Sequence, residues 1–113
     1  MHTEKILTAL SLIENGLLTR ICKLESNIAQ GRAKIILNDC ILYLQYNRFG
    51  EYGYQLVFSE KENDLARFDP HHFHPRWNSY AFDSPMQGEP DKDIPLLCEL
   101  IINRKIWDGS TRF

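Results

Sequence analysis

The sequence has no apolar run approaching the roughly 18 residues a membrane helix needs. Its opening, Met1-His2-Thr3-Glu4-Lys5, lacks the basic region and cleavage site of a secretion signal, so a cytoplasmic protein with no membrane partner is expected. Cysteine is scarce. Cys22, Cys40 and Cys98 are widely spaced, odd in number and form no CxxC pair, which reads as reduced thiols in a core rather than a disulfide framework. Positive charge is not in excess: 13 Lys and Arg face 15 Asp and Glu, for a net charge of −2. That balance excludes a broad electrostatic surface for nucleic acid and leaves room only for a local basic patch. No Walker loop, dinucleotide fingerprint or nucleophile motif occurs, so no cofactor is expected. Internal repeats and low-complexity tracts are also missing.

What is present suits one domain over residues 1–113, with 43% hydrophobic residues for its core. His2 reads as a tail residue. Ile6, Leu10 and Ile13, with Leu7 beside them, share one face of a helix over 1–16. Asn15-Gly16 is its expected stop, because Gly adopts the left-handed conformation that ends helices. A rival reading continues the stripe through Leu17, Ile21, Leu24 and Ile28; the stop is preferred, with 17–26 extended.

Strand signals follow from Gly31. Ala33–Leu37 and Cys40–Tyr46 flank Asn38-Asp39, two residues that tolerate positive φ and suit a tight hairpin. Tyr52–Ser59 and Leu65–Phe68 are further strands, separated by the charged turn Lys61-Glu62-Asn63-Asp64. Residues 17–70 therefore read as an antiparallel meander of four or five strands. Residues 71–90 form a loop rich in His and aromatics. Ile94, Leu97, Cys98, Ile101 and Ile102 then line one face of a helix over 91–106, and 107–113 is tail. The expected fold is α+β, an N-terminal helix and a C-terminal helix packed on one face of the sheet. The other face is left for a partner.

Three of the four histidines fall in Arg67-Phe68-Asp69-Pro70-His71-His72-Phe73-His74. Imidazoles titrate near neutrality, and in an extended segment His72 and His74 share a side. Such a pair can take the proton of a 2′-hydroxyl and return one to the leaving oxygen in RNA cleavage. Arg67, oriented by Asp69, would anchor phosphate, and His71 is the alternative acid–base partner. The competing reading has these rings merely facing solvent or bonding backbone. A second alternative is a metal held by His72 and His74, with Asp69 or Asp83 adding oxygen. Tyr52 and Tyr54 alternate onto one face and suit base stacking, though a core aromatic pair is the plainer reading for at least one. Arg32, Lys34, Arg48 and Arg67 suit a phosphate strip, or edge charges that block aggregation. Trp77, with Tyr80 and Phe82, lines a pocket or caps the core.

Several of these segments occur in an order that resembles the TumE-type toxins of bacterial and archaeal toxin–antitoxin pairs. Gly31-Arg32-Ala33-Lys34-Ile35 looks like that family's Gly-Arg strand, and Tyr52-Gly53-Tyr54-Gln55 is similar to its Tyr-x-Tyr strand. Arg67-Phe68-Asp69 matches its Arg-Tyr-Asp with Phe for Tyr, and Pro70-His71-His72-Phe73-His74 looks like its Pro-His-His element. The likeness spans Gly16 to His74. It departs in one respect: the family usually carries two Pro-His-His elements, and this chain has one. The resemblance implies a toxin-like protein with a cognate antitoxin as partner. RNA and a homodimer through an open sheet face or edge are the further expected associations.

Overall fold

A computed structural model describes residues 1–59, 65–68 and 86–103, with Ala66 and Arg67 described by backbone alone. The order of elements is a helix α1 (His2–Leu17), five strands, and a helix α2 (Pro90–Ile102). The strands are β1 (Ile21–Asn27), β2 (Arg32–Leu37), β3 (Ile41–Tyr46), β4 (Tyr52–Val57) and β5 (Leu65–Phe68). Every strand pairs antiparallel with the next in sequence, so the sheet order is β1-β2-β3-β4-β5, a meander. This is the α+β fold expected.

One face of the sheet is covered. Ile35, Leu37, Leu42, Leu44, Tyr54 and Leu56 from the strands meet Ile6, Ala9, Ile13 and Leu17 of α1 and Ile94, Leu97 and Ile101 of α2. The alternation is clean on β2 and β3, where buried and more exposed positions take turns along the strand. Burying an aliphatic side chain of this kind contributes about 1.5–3 kcal/mol. The covered face is therefore what fixes the register of the whole sheet, since a slip of one residue would turn Ile35 and Leu42 to solvent.

Several local expectations are corrected. Gly16 does not stop α1: the helix runs through Leu17, a 3-10 turn (Leu18–Arg20) follows, and Gly16 has no positive φ. Its role is close approach. A Cβ at Gly16 would lie 3.1 Å from the Cys98 sulfur, so the missing side chain lets α1 and α2 pack at that point. Leu7 is 54% exposed, one position off the buried stripe. His2 is not a tail residue: it opens α1, and its Nε2 lies 3.0 Å from the Ala29 carbonyl oxygen in the β1–β2 connection. Cys22 is exposed rather than in the core. It sits at a register shift between Ile21 and Lys23, where a bulge breaks the alternation; Cys40 and Cys98 are buried. The Asn38-Asp39 turn joins β2 and β3 without positive φ at either residue. Positive φ occurs instead at Gly31 (67°), Gly50 and Gly88, and at Gly31 a Cβ would lie 2.0 Å from the Tyr46 carbonyl oxygen. Helix α2 starts one residue early, at Pro90, whose missing N–H costs nothing at a first helical position. Ile102 is 48% exposed and lies off its buried face.

Candidate functional site

Among the described residues no helix covers the other face of the sheet, and the register defines that face residue by residue, because partners directly across an antiparallel ladder point to the same side. Near one end a row runs Asn27, Arg32, Gln45, Gly53. The middle row runs Glu25, Lys34, Tyr43, Gln55, and then Arg67, whose backbone pairs with Gln55. The third row, Lys23, Ile36, Ile41, Val57 and Leu65, is mostly apolar. A groove of about 580 Å³ lies over the first two rows. That volume is in the range of small-ligand sites. Gly53 contributes to the groove directly: at that position no side chain stands beside Gln45.

Charge is segregated on this face. Among its described side chains, Lys23, Arg32 and Lys34 are cationic and Glu25 alone is anionic, whereas the whole chain is net negative. Glu25 is already engaged, with its carboxylate 3.2 Å from the Lys23 ammonium. Lys34 stands over the Tyr43 ring at 5.8 Å from its centroid, a cation–π contact at the outer limit of the useful range. Tyr43 is 37% exposed, and Arg32 and Gln45 are exposed as well.

Not every sequence candidate is on this face. Tyr52 and Tyr54 turn to the helix-covered side, because Tyr54 pairs with buried Leu44 and Tyr52 with buried Tyr46. Tyr54 is 1% exposed and is unavailable for stacking on a base. The Tyr54 hydroxyl donates to Asp93 Oδ2 at 2.6 Å, which uses its one proton, so the Tyr46 hydroxyl donates to Tyr54 across 3.0 Å. Burial pushes the Tyr54 phenol well above its ordinary range, and the adjoining Tyr46 and Asp93 push the same way. Burial likewise raises Tyr46, partly offset by its bond to Tyr54. Asp93 also accepts from the backbone N–H groups of Gln87, at 2.9 Å, and Gly88, at 2.7 Å. Tyr52 donates to the Met86 carbonyl at 2.6 Å. These bonds fasten the entry to α2 onto β4.

Arg48 belongs to the β3–β4 connection, where its guanidinium lies 5.0 Å from the Phe49 ring centroid, and it does not appear among the groove residues. Asp69, His71, His72, His74, Trp77 and Asp83 lie outside the described residues. Connectivity alone relates the histidines to the groove. Phe68, the last described residue before them, pairs with Tyr54, next to Gly53, so β5 ends at the groove's end of the sheet. Among the described residues no group of three His, Cys, Asp or Glu is placed to hold a metal ion, and no helix is long and apolar enough to cross a membrane.

Reading the sequence by segments overlooked Tyr43, Gln45 and Gln55. The signal was available in the Asn38-Asp39 turn. Once two residues close the hairpin, Lys34 must face Tyr43 and Arg32 must face Gln45, as the ladder has them.

Comparison with protein-family models, with curated proteins and with solved structures found no match.

Proposed function

We propose that this chain is a toxin-like protein that acts on RNA in the cytoplasm, with the uncovered sheet face as its RNA-binding surface. The observation that carries the reading is the placement of Arg32 and Lys34 in one polar groove with Tyr43, on the face the helices leave free. Arg67 stands in register with the same middle row, and the chain continues from there into His71, His72 and His74. In this reading the face holds the backbone of the strand and the histidines supply acid and base, with Arg67 as phosphate anchor and no metal required. The likeness to TumE-type toxins supports the same assignment and adds a cognate antitoxin, which would inhibit by covering the groove.

A binding module that inhibits by occupying its target is the second reading. The same face supports it, because a basic groove needs no histidine to bind. Induced expression in cells separates the two. Under the ribonuclease reading, Arg32→Glu with Lys34→Glu and, separately, His72→Ala with His74→Ala each relieve growth arrest while circular dichroism stays unchanged. If the histidine pair remains fully toxic and the face variant does not, the binding module is correct. If both remain fully toxic, the face has no part in the activity. A short DNA-binding protein encoded beside this one would support the toxin assignment, and a solitary metabolic neighbour would count against it.

A further inference from the structure

The reading above leaves open what kind of nucleic acid the sheet face fits and which residue selects it. We infer that the face binds a single strand, with one unpaired base stacked on Tyr43 and its flanking phosphates on Arg32 and Lys34. The inference rests on the function proposed above but can fail without it.

The spacing comes from the strand itself. Arg32 and Lys34 are two apart on β2 and point to the same side, which separates their Cα atoms by roughly 6.8 Å at about 3.4 Å per residue. That is close to the distance between successive phosphates of an extended single strand. Tyr43 lies directly across the ladder from Lys34, so a base turned inward from a phosphate on Lys34 meets the ring. An exposed aromatic at the centre of a sheet is useful only to a base whose face is free, and bases inside a duplex are stacked on one another. As the strand seats, the Lys34 ammonium moves from its distant position over the ring to the phosphate, exchanging a weak exposed contact for a charge-assisted one.

The surroundings fit a base as well. Gln45 and Gln55 flank Tyr43 on β3 and β4, and each offers both a donor and an acceptor to a base edge. Gly53, across the ladder from Gln45, adds no side chain of its own to the groove. Glu25, held by Lys23, closes the groove on the β1 side with negative charge and so limits the backbone track to Arg32 and Lys34. The charges make an anionic strand the favoured occupant. An acidic protein segment shares the charge but has no use for a stacking platform.

Fluorescence anisotropy with the full chain tests this. The probes are a labelled single-stranded RNA of about ten nucleotides, a usual site size, its 2′-deoxy version, which cannot be cut through a 2′-hydroxyl, and the matching duplex. An acidic peptide serves as competitor. Tyr43→Ala is expected to weaken single-strand binding by about tenfold or more, and Tyr43→Phe by no more than about twofold, since stacking needs only the ring. The duplex should bind at least about tenfold more weakly than the single strand, and added salt should weaken all binding. Gly53→Val, a change that suits a strand but fills the groove, should also weaken it. If Tyr43→Ala binds like the wild type while Arg32→Ala and Lys34→Ala bind less, the base platform is refuted and the RNA-binding face stands. Equal affinity for duplex and single strand refutes the inference in the same way. If the wild type binds the acidic peptide and no nucleic acid, or binds nothing, the function proposed above falls together with it.

Discussion

Asp93 is the one charged residue buried among the described positions, at 1% exposure, and its loss has a calculable cost. Among the described residues its carboxylate faces no cation and is held by three donors: the Tyr54 hydroxyl, the Gly88 N–H and the Gln87 N–H. It also sits in the first turns of α2, where the helix dipole favours negative charge. Asp93→Ala orphans all three donors. A buried donor without a partner costs about 1–3 kcal/mol. The Tyr54 and Gly88 groups are buried and incur that cost, whereas the Gln87 N–H is nearer the surface and can take water. Relief from burying a carboxylate offsets part of the loss. The expected destabilisation is therefore about 2–4 kcal/mol, a large share of the roughly 5–15 kcal/mol that stabilises a domain. Urea denaturation followed by far-UV circular dichroism would show it as a lower midpoint with an unchanged slope. Tyr54→Phe should lose about 1–2 kcal/mol, because it removes the donor to Asp93 and strands the Tyr46 hydroxyl. In the double variant the losses should fall short of additive by at least about 1 kcal/mol, as expected for one network. A loss below about 0.5 kcal/mol for Asp93→Ala would refute the argument, since that is the range of ordinary surface substitutions.

High pH should attack the same network. The phenols of Tyr46 and Tyr54 are raised in the folded state, so their stabilisation is complete below the unfolded value of about 10 and is lost as pH rises beyond it. Each then removes about 1.4 kcal/mol per pH unit, and their phenolate absorbance should appear only together with unfolding. Gly31→Ala should destabilise by about 2 kcal/mol or more in thermal melts, because it joins a left-handed φ to a clash with the Tyr46 carbonyl. Gly16→Ala should stabilise by about 0.5–1 kcal/mol through helix propensity only when Cys98→Ala has removed the sulfur 3.1 Å from the new methyl; alone, the gain should shrink or reverse.

The fold was legible where one physical signal decided each element. Ile6, Leu10 and Ile13 could share a face only in a helix, and the alternation through Ile35 and Leu42 could bury residues only in a half-covered sheet. Misreadings arose where one residue serves two physical purposes. Gly16 carries the composition of a helix stop, but its value lies in contact with Cys98, more than 80 positions away in sequence, which no local pattern contains. Cys22 looks like a core residue because of its type, and a one-residue bulge turns it outward. Asp93 stands in the acidic first turn of α2, and nothing local announces that Tyr54 reaches it.

The candidate site shows the same division between local and long-range information. Tyr52 and Tyr54 attract notice because they are aromatic and close in sequence, yet their strand phase points them into the core. Tyr43 attracts less notice, sitting between Leu42 and Leu44 in an apolar run, yet it has the exposed ring. Residue type cannot separate these cases, because tyrosine serves equally well in a core that bonds its hydroxyl and on a surface that uses its ring. Phase can. Any strand residue in register with Arg32 or Lys34 shares the open face, and those of β3 and β4 in register with Ala33 or Ile35 are buried. The pairings Lys34–Tyr43, Tyr43–Gln55 and Gln55–Arg67 carry that rule from the hairpin across to β5. The rule thus puts the strand that leads to His71 in register with the groove, although no residue between Tyr43 and Arg67 reveals this by its type.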